Sequence, residues 1–212
     1  MPKKEVPLNA LARYLPPGTY DDVMAYLVHY KVHLTVTRRR DTVLGDYRHR
    51  IDTRTHRISV NGNLNPFAFL VTLLHELAHL VTFEQYGNRV KAHGREWKGV
   101  YGSILARFIE KKIFPADIEA ELKDSLSNPG ASACAEEGLQ RILHRYDNKV
   151  DGILLLEQLP EGADFGLSSG RRFRKGKQRR KRYECQEVAT GRLYLFSGLH
   201  EVIDLRDIFP QS

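Results

Sequence analysis

The run from Asn65 to Gly87, NPFAFLVTLLHELAHLVTFEQYG, constrains this chain more than any other stretch. Asn65 suits a helix N-cap, Pro66 the first helical position and Gly87 a left-handed stop. Between them Phe67, Phe69, Leu70, Val71, Leu73, Leu74, Leu77, Ala78, Leu80, Val81 and Phe83 cover every face of a 3.6-residue helix. That is the pattern of a helix packed on all sides, so the remaining elements have to surround it. His75, Glu76 and His79 then lie in an apolar environment and need partners.

At about 100° per residue, His79 lies about 40° around the axis from His75 and one turn along it, so both imidazoles leave the same face. They are placed to grip one ion. Glu76 projects about 60° from His79, displaced from the ligand line but suited to handle a water beside the metal. This is the division of labour of H-E-x-x-H zinc hydrolases, in which zinc keeps one open position and a carboxylate serves as acid and base.

A third ligand is needed, and Glu84, His93 and Glu96 all follow closely. The extended motif with Gly and His three and six residues after the second histidine is absent, since Thr82 and Gln85 hold those places. Glu84 is about 140° around the helix from His79 and points away. His93 follows the Gly87 break and a loop over residues 88–92 that is long enough to turn the chain back. Glu96 competes with it as a ligand, or serves as a partner to one, or faces solvent.

The block HELAHLVTFEQYGNRVKAHGREW resembles the SprT-like metallopeptidase domain, the family of bacterial SprT and the eukaryotic DNA–protein crosslink protease Spartan. There H-E-x-x-H is followed by a His-Gly that opens the next helix and by an aromatic residue, here His93, Gly94 and Trp97. The resemblance covers residues 8–112, loosely before the motif. It implies that His75, His79 and His93 hold one Zn²⁺ per chain and that Glu76 is the catalytic acid and base. It further implies a zinc-dependent metalloendopeptidase acting on protein in extended conformation, with DNA-associated proteins as candidate substrates.

Upstream, Thr19-Tyr-Asp-Asp22 starts a helix, and Val32–Thr37, residues 42–50 and His56–Asn61 read as strands around the turn Asp52-Thr53-Arg54. The expected fold is α+β: helix, a three-stranded antiparallel-type sheet, the motif helix and a third-ligand helix. The resemblance adds that this is zincin-like, with residues 58–63 as an edge strand that holds substrate backbone. Arg38-Arg39-Arg40 reads as part of a solvated face, and His29, His33, His49 and His56 as ordinary core or surface residues. Trp97, Val100, Tyr101, Ile104, Leu105, Phe108 and Ile109 form one stripe of an amphipathic helix over residues 95–112. Further helices are expected over 116–126 and 132–146, separated by Asn128-Pro129-Gly130. Besides the metal, Tyr101 and His144 are the residues considered for stabilising an oxyanion.

After Asp147 short strand patterns alternate with turns, which divides the chain into a peptidase domain with a helical extension, residues 1–147, and a small basic β-rich domain, residues 148–212. Tyr183-Glu-Cys185-Gln resembles the start of the C-terminal zinc ribbon of many SprT relatives. Val188 stands at the second cysteine position and no later cysteine exists, so no ribbon zinc is expected. Two separated cysteines and no leader-like segment suggest a soluble chain in a reducing cytoplasm, with nucleoid association a further option.

The basic segment RRFRKGKQRRKR holds Arg171, Arg172, Arg174, Lys175, Lys177, Arg179, Arg180, Lys181 and Arg182 without an acid. These cations suit salt-dependent binding of DNA or another nucleic acid, with Phe173 available to stack on a base if it faces outward. The competing reading is a solvated hairpin tip, or a basic loop that binds anions promiscuously. The segment lacks an amphipathic helical pattern, so no membrane partner is expected. The alternative to a peptidase is a nucleic-acid-associated or transcription-related binding protein whose zinc site is structural or weakly active.

Overall fold

A computed structural model of the chain describes residues 8–40, 43–49, 55–126, 137–148 and 152–205. The Asp52–Arg54 turn, the Asn128–Gly130 break, Ser132 and Cys134 lie outside the described residues. The chain divides into two compact units, Met1–Asp147 and Asn148–Ser212.

The first unit is α+β. Helix α1 (Tyr20–His29) is followed by strands β1 (Val32–Thr37), β2 (Gly45–Arg48) and β3 (His56–Asn61). Helices α2 (Pro66–Tyr86), α3 (Arg95–Glu110), α4 (Ala116–Leu126) and α5 (Glu137–His144) complete it. At the α1 start, the Thr19 hydroxyl donates to Pro16 O at 2.8 Å rather than capping the helix.

The sheet order is β1-β3-β2. β1 runs parallel to β3, from Val32 opposite His56 to Thr37 opposite Asn61, and β2 is antiparallel to β3. The sheet is therefore mixed rather than antiparallel throughout. β3 is the central strand, so residues 58–61 are not the edge expected there; the edges are β1 and β2. Strand order is a long-range property that local alternation does not carry.

Arg40 secures the connection into β2. Its guanidinium donates to Asn61 Oδ1 at 2.8 Å, Ser59 Oγ at 3.0 Å and Leu44 O at 3.4 Å. The Asn61 amide donates in turn to Arg40 O and Val43 O, both at 3.0 Å. Buried Asn61 is thus satisfied, and Arg40 is a structural clamp rather than part of a solvated face.

The buried residues of α2 include Phe69, Leu70, Leu73, Leu74, Leu77 and Leu80, all at 0% exposure. The sheet and α3 pack against it. Each such side chain contributes about 1.5–3 kcal/mol by leaving water. Pro66–Arg89 is long and apolar enough to cross a membrane, yet 78% of its most apolar window is buried inside the unit. The Asn65 carboxamide oxygen accepts from Ala68 N at 3.0 Å, and its amide donates to Leu143 O at 2.9 Å and Asp147 Oδ1 at 2.6 Å. One side chain therefore caps α2 and ties the end of α5 to its start. At the far end Gly87, with φ 62°, donates its N–H to Phe83 O.

The second unit is a six-stranded antiparallel sheet in the order β4-β9-β5-β6-β7-β8. Its strands are β4 (Ile153–Leu155), β5 (Asp164–Gly166), β6 (Arg172–Arg179), β7 (Arg182–Glu187), β8 (Leu193–Ser197) and β9 (Glu201–Asp204). Leu156, Leu159, Phe165, Phe173, Cys185 and Val202 form its core. Cys185 is thus a packed residue whose thiol burial pushes up, unlike an exposed metal ligand.

Candidate metal centre

His75 and His79 project one turn apart from α2, and His93 reaches them from the loop that leads into α3. His75 Nε2 lies 3.2 Å from His79 Nε2 and 3.2 Å from His93 Nε2. Ligand atoms of the three rings all lie within 4.8 Å of one another. One ring nitrogen offers either a proton or a lone pair, whereas a cation engages all three lone pairs at once. A tetrahedral ion bound at about 2.0–2.1 Å needs donors about 3.3–3.4 Å apart, close to the spacing found. The donor set fits a metal ion.

His93 reaches the cluster through a left-handed backbone, φ 59°. Non-glycine residues adopt this conformation rarely and are often functional where they do. Gly94 then caps α3, and a Cβ there would meet Lys91 O at 2.9 Å, so the tight turn requires glycine. Glu96 lies in the first turn of α3 and is not in the metal-binding group, and Glu84 is engaged elsewhere.

Beneath the cluster the fully buried Trp97 ring sits 4.7 Å from His75, 5.2 Å from His79 and 4.7 Å from His93, centroid to centroid. Tyr101 stacks on Trp97 and lies 5.6 Å from His75. His144 pairs with Asp147 and is not part of the cluster.

Burial, reinforced by the neighbouring imidazoles, pushes His75 down to about 3 and His79 to about 4, and burial also lowers His93. All three rings are therefore neutral near pH 7, the form that ligates metal. Burial raises Glu76 to about 8, helped by Asp46 and opposed by Arg40.

Sequence reading expected the strand over residues 42–50 but not that it covers Glu76. A Cβ at Gly45 would lie 2.6 Å from Glu76 Oε1 and 2.8 Å from Thr72 Cγ2. Asn61 N donates to Leu44 O at 2.9 Å, which makes Leu44–Asn61 a hydrogen-bonded pair and the next pair, Gly45–Val60, a non-bonded one. The N–H and C=O of Gly45 consequently face the outer edge of the sheet.

Sequence reading also missed a polar chain beside His79. Tyr47 on β2 lies parallel to the His79 ring at 6.4 Å, and its hydroxyl is 2.9 Å from His56 Nδ1. His56 Nε2 is 3.1 Å from Glu84 Oε1. A carboxylate can only accept, so Nε2 carries a proton and buried His56 is held between Tyr47 and Glu84. The helical angle that turns Glu84 away from the ligands is what aims it at His56.

In the second unit the nine basic residues do not form one surface. Lys175 is buried, with its ammonium bonded to Leu159 O and 4.1 Å from the Tyr183 ring centroid. Phe173 is turned into the core, so it offers no stacking face for a base. Arg171 pairs with Glu187 at 2.7 Å and Arg174 with Asp164 at 2.8 Å. Exposed Arg172 lies on β6, while Lys177, Arg179, Arg180, Lys181 and Arg182 gather toward the β6–β7 hairpin end.

Residues 23–118 match the SprT-like family. Protein SprT of Vibrio parahaemolyticus serotype O3:K6 (strain RIMD 2210633) is 54% identical over 42 residues, which are 19% of this chain and 25% of that protein. The match thus spans a minor part of the relative's length. No solved structure matches the chain. Residues 23–118, the segment that carries His75, Glu76, His79 and His93, are thus similar to the SprT-like family.

Proposed function

We propose that the first unit is a zinc-dependent metalloendopeptidase of SprT-like, zincin-like type. The observation that carries this reading is the convergence of three neutral imidazoles next to a buried glutamate that lies under an edge strand. His75, His79 and His93 would hold Zn²⁺, which supplies Lewis acidity toward a peptide carbonyl and makes a water acidic. Glu76 takes the proton of the attacking water on its carboxylate and passes it to the leaving nitrogen. Its burial raises the proton affinity that the second transfer needs, and a positive charge nearby lowers it again for the first.

Substrate is held by main chain. An extended peptide pairs with the outward N–H and C=O of Gly45 on β2, beside Glu76. Such pairing favours unfolded or extended segments with little side-chain preference.

The test is Glu76→Gln with metal content measured on the same preparation. Loss of cleavage of an unstructured protein, with the metal retained, is expected. Unchanged cleavage overturns the assignment. A wild type that cuts neither protein nor DNA–protein conjugates supports a binding role instead.

A further inference from the structure

We propose that the end of the β6–β7 hairpin is a binding site for the phosphate backbone of duplex nucleic acid. The hairpin turns through Arg180-Lys181, with Arg179 directly opposite Arg182. Two-residue turns favour Asn, Asp or Gly because positive φ is required, and Arg180 adopts φ 56°. Like charges directly opposite across a strand pair are destabilising. Four consecutive cations, Arg179-Arg180-Lys181-Arg182, thus occupy a turn that local stability would fill otherwise.

The same strand shows a second device. Lys175 opposite Cys185 is followed by Gln178 opposite Tyr183, so β6 carries a bulge at Gly176-Lys177. A Cβ at Gly176 would collide with Glu184 O, so the bulge depends on glycine. It brings exposed Lys177 onto the same end of the ribbon. Arg179 lies 3.7 Å from the Glu184 carboxylate.

Charge complementarity selects a polyanion, and the aromatic residues select its form. Phe173 is buried, Tyr183 sits under the Lys175 ammonium, and Tyr194 lies under the Arg171 guanidinium. Single-strand binding relies on stacking faces that this ribbon does not turn outward. A two-stranded ribbon with a cationic end fits a duplex groove and its flanking phosphates without reading sequence.

The test is fluorescence anisotropy of the full chain with a short labelled duplex, a single strand of the same sequence, and phosphatidylserine-containing vesicles. Five cations give at most a slope of about −4.5 in log K against log salt. The variant R179Q/R180N/K181Q/R182Q is expected to lose at least about tenfold in duplex affinity and most of that slope. Arg180→Asn separates binding from folding, since Asn tolerates positive φ. Its melting temperature should not fall, while duplex affinity drops by about fivefold at about 0.15 M salt and the slope becomes shallower by about 0.9. Duplex affinity unchanged in both variants, tighter binding to single strands, or preference for vesicles each overturns the proposal. None of these outcomes depends on the peptidase reading.

Discussion

Gly45 lies so close to Glu76 that a Cβ on it would fall 2.6 Å from the carboxylate oxygen Oε1. Its φ is not in the left-handed region, so close approach rather than backbone conformation calls for glycine. Gly45→Ala should push Glu76 or β2 aside, costing about 1–3 kcal/mol in urea unfolding. Peptide cleavage should drop by about 10²-fold, with metal content unchanged. Full activity in this variant would remove the link between the edge strand and Glu76.

The metal-stripped protein should have a stability maximum near pH 6.5 as far as the site's own groups are concerned. His75 and His79 bind protons near 6.5 when unfolded but only near 3 and 4 when folded, and His93 shifts the same way. They therefore remove stability as pH falls below 6.5. Glu76 has the opposite sign: the folded carboxyl keeps its proton up to about 8 and the unfolded one releases it near 4.5, so stability falls as pH rises across that interval. The histidines outweigh it below 6.5 and it acts alone above. Urea midpoints of chelator-treated protein check this, and Glu76→Gln should abolish the decline between pH 6.5 and 8.

Removing His56 leaves Tyr47 and Glu84 without the ring that joins them. His56→Leu should destabilise the unit by about 0.5–1.5 kcal/mol, because two part-buried hydrogen bonds to the ring are lost. His56 is not in the three-histidine group, so zinc content should persist. Loss of metal in this variant would instead give His56 a part in the site.

The caps and all-round apolar pattern of α2 made its limits, its burial and the His75–Glu76–His79 grouping legible, because each is local to one helix. The clamp role of Arg40 was not, since its partners Asn61 and Ser59 are far along the chain and its neighbours are also arginines. β6 was hidden for a related reason. In RFRKGKQR only Phe173 marks the inward face, and the other inward residue is a lysine whose charge is met by backbone oxygens. Gly45 gave no local signal at all, because its importance arises only when β2 is laid over α2.

Asn65 does three jobs, and Asn65→Ala should show it. The lost cap costs about 1 kcal/mol, and losing the bonds to Leu143 O and Asp147 adds about 1–2 kcal/mol. Asn65→Asp keeps the acceptor for Ala68 N but places a carboxylate against Leu143 O and Asp147. It should therefore be no better than alanine, although Asp is a good cap in isolation. Thermal unfolding of the two variants side by side checks this ordering.

Sequence left alternatives for the third ligand, and the structure brings His93 rather than Glu96 to the two motif histidines. His93 Nε2 stands 3.2 Å from His75 Nε2, while Glu96 begins α3 outside the cluster. Protein purified without added metal should carry about one zinc per chain. His93→Ala should lose most of it, since two imidazoles alone hold the ion far more weakly. Glu96→Ala should keep the parental content. Elemental analysis of the three proteins prepared together distinguishes the ligand sets: retention in His93→Ala with loss in Glu96→Ala would move the site toward α3 and remove the positive φ of His93 from its account.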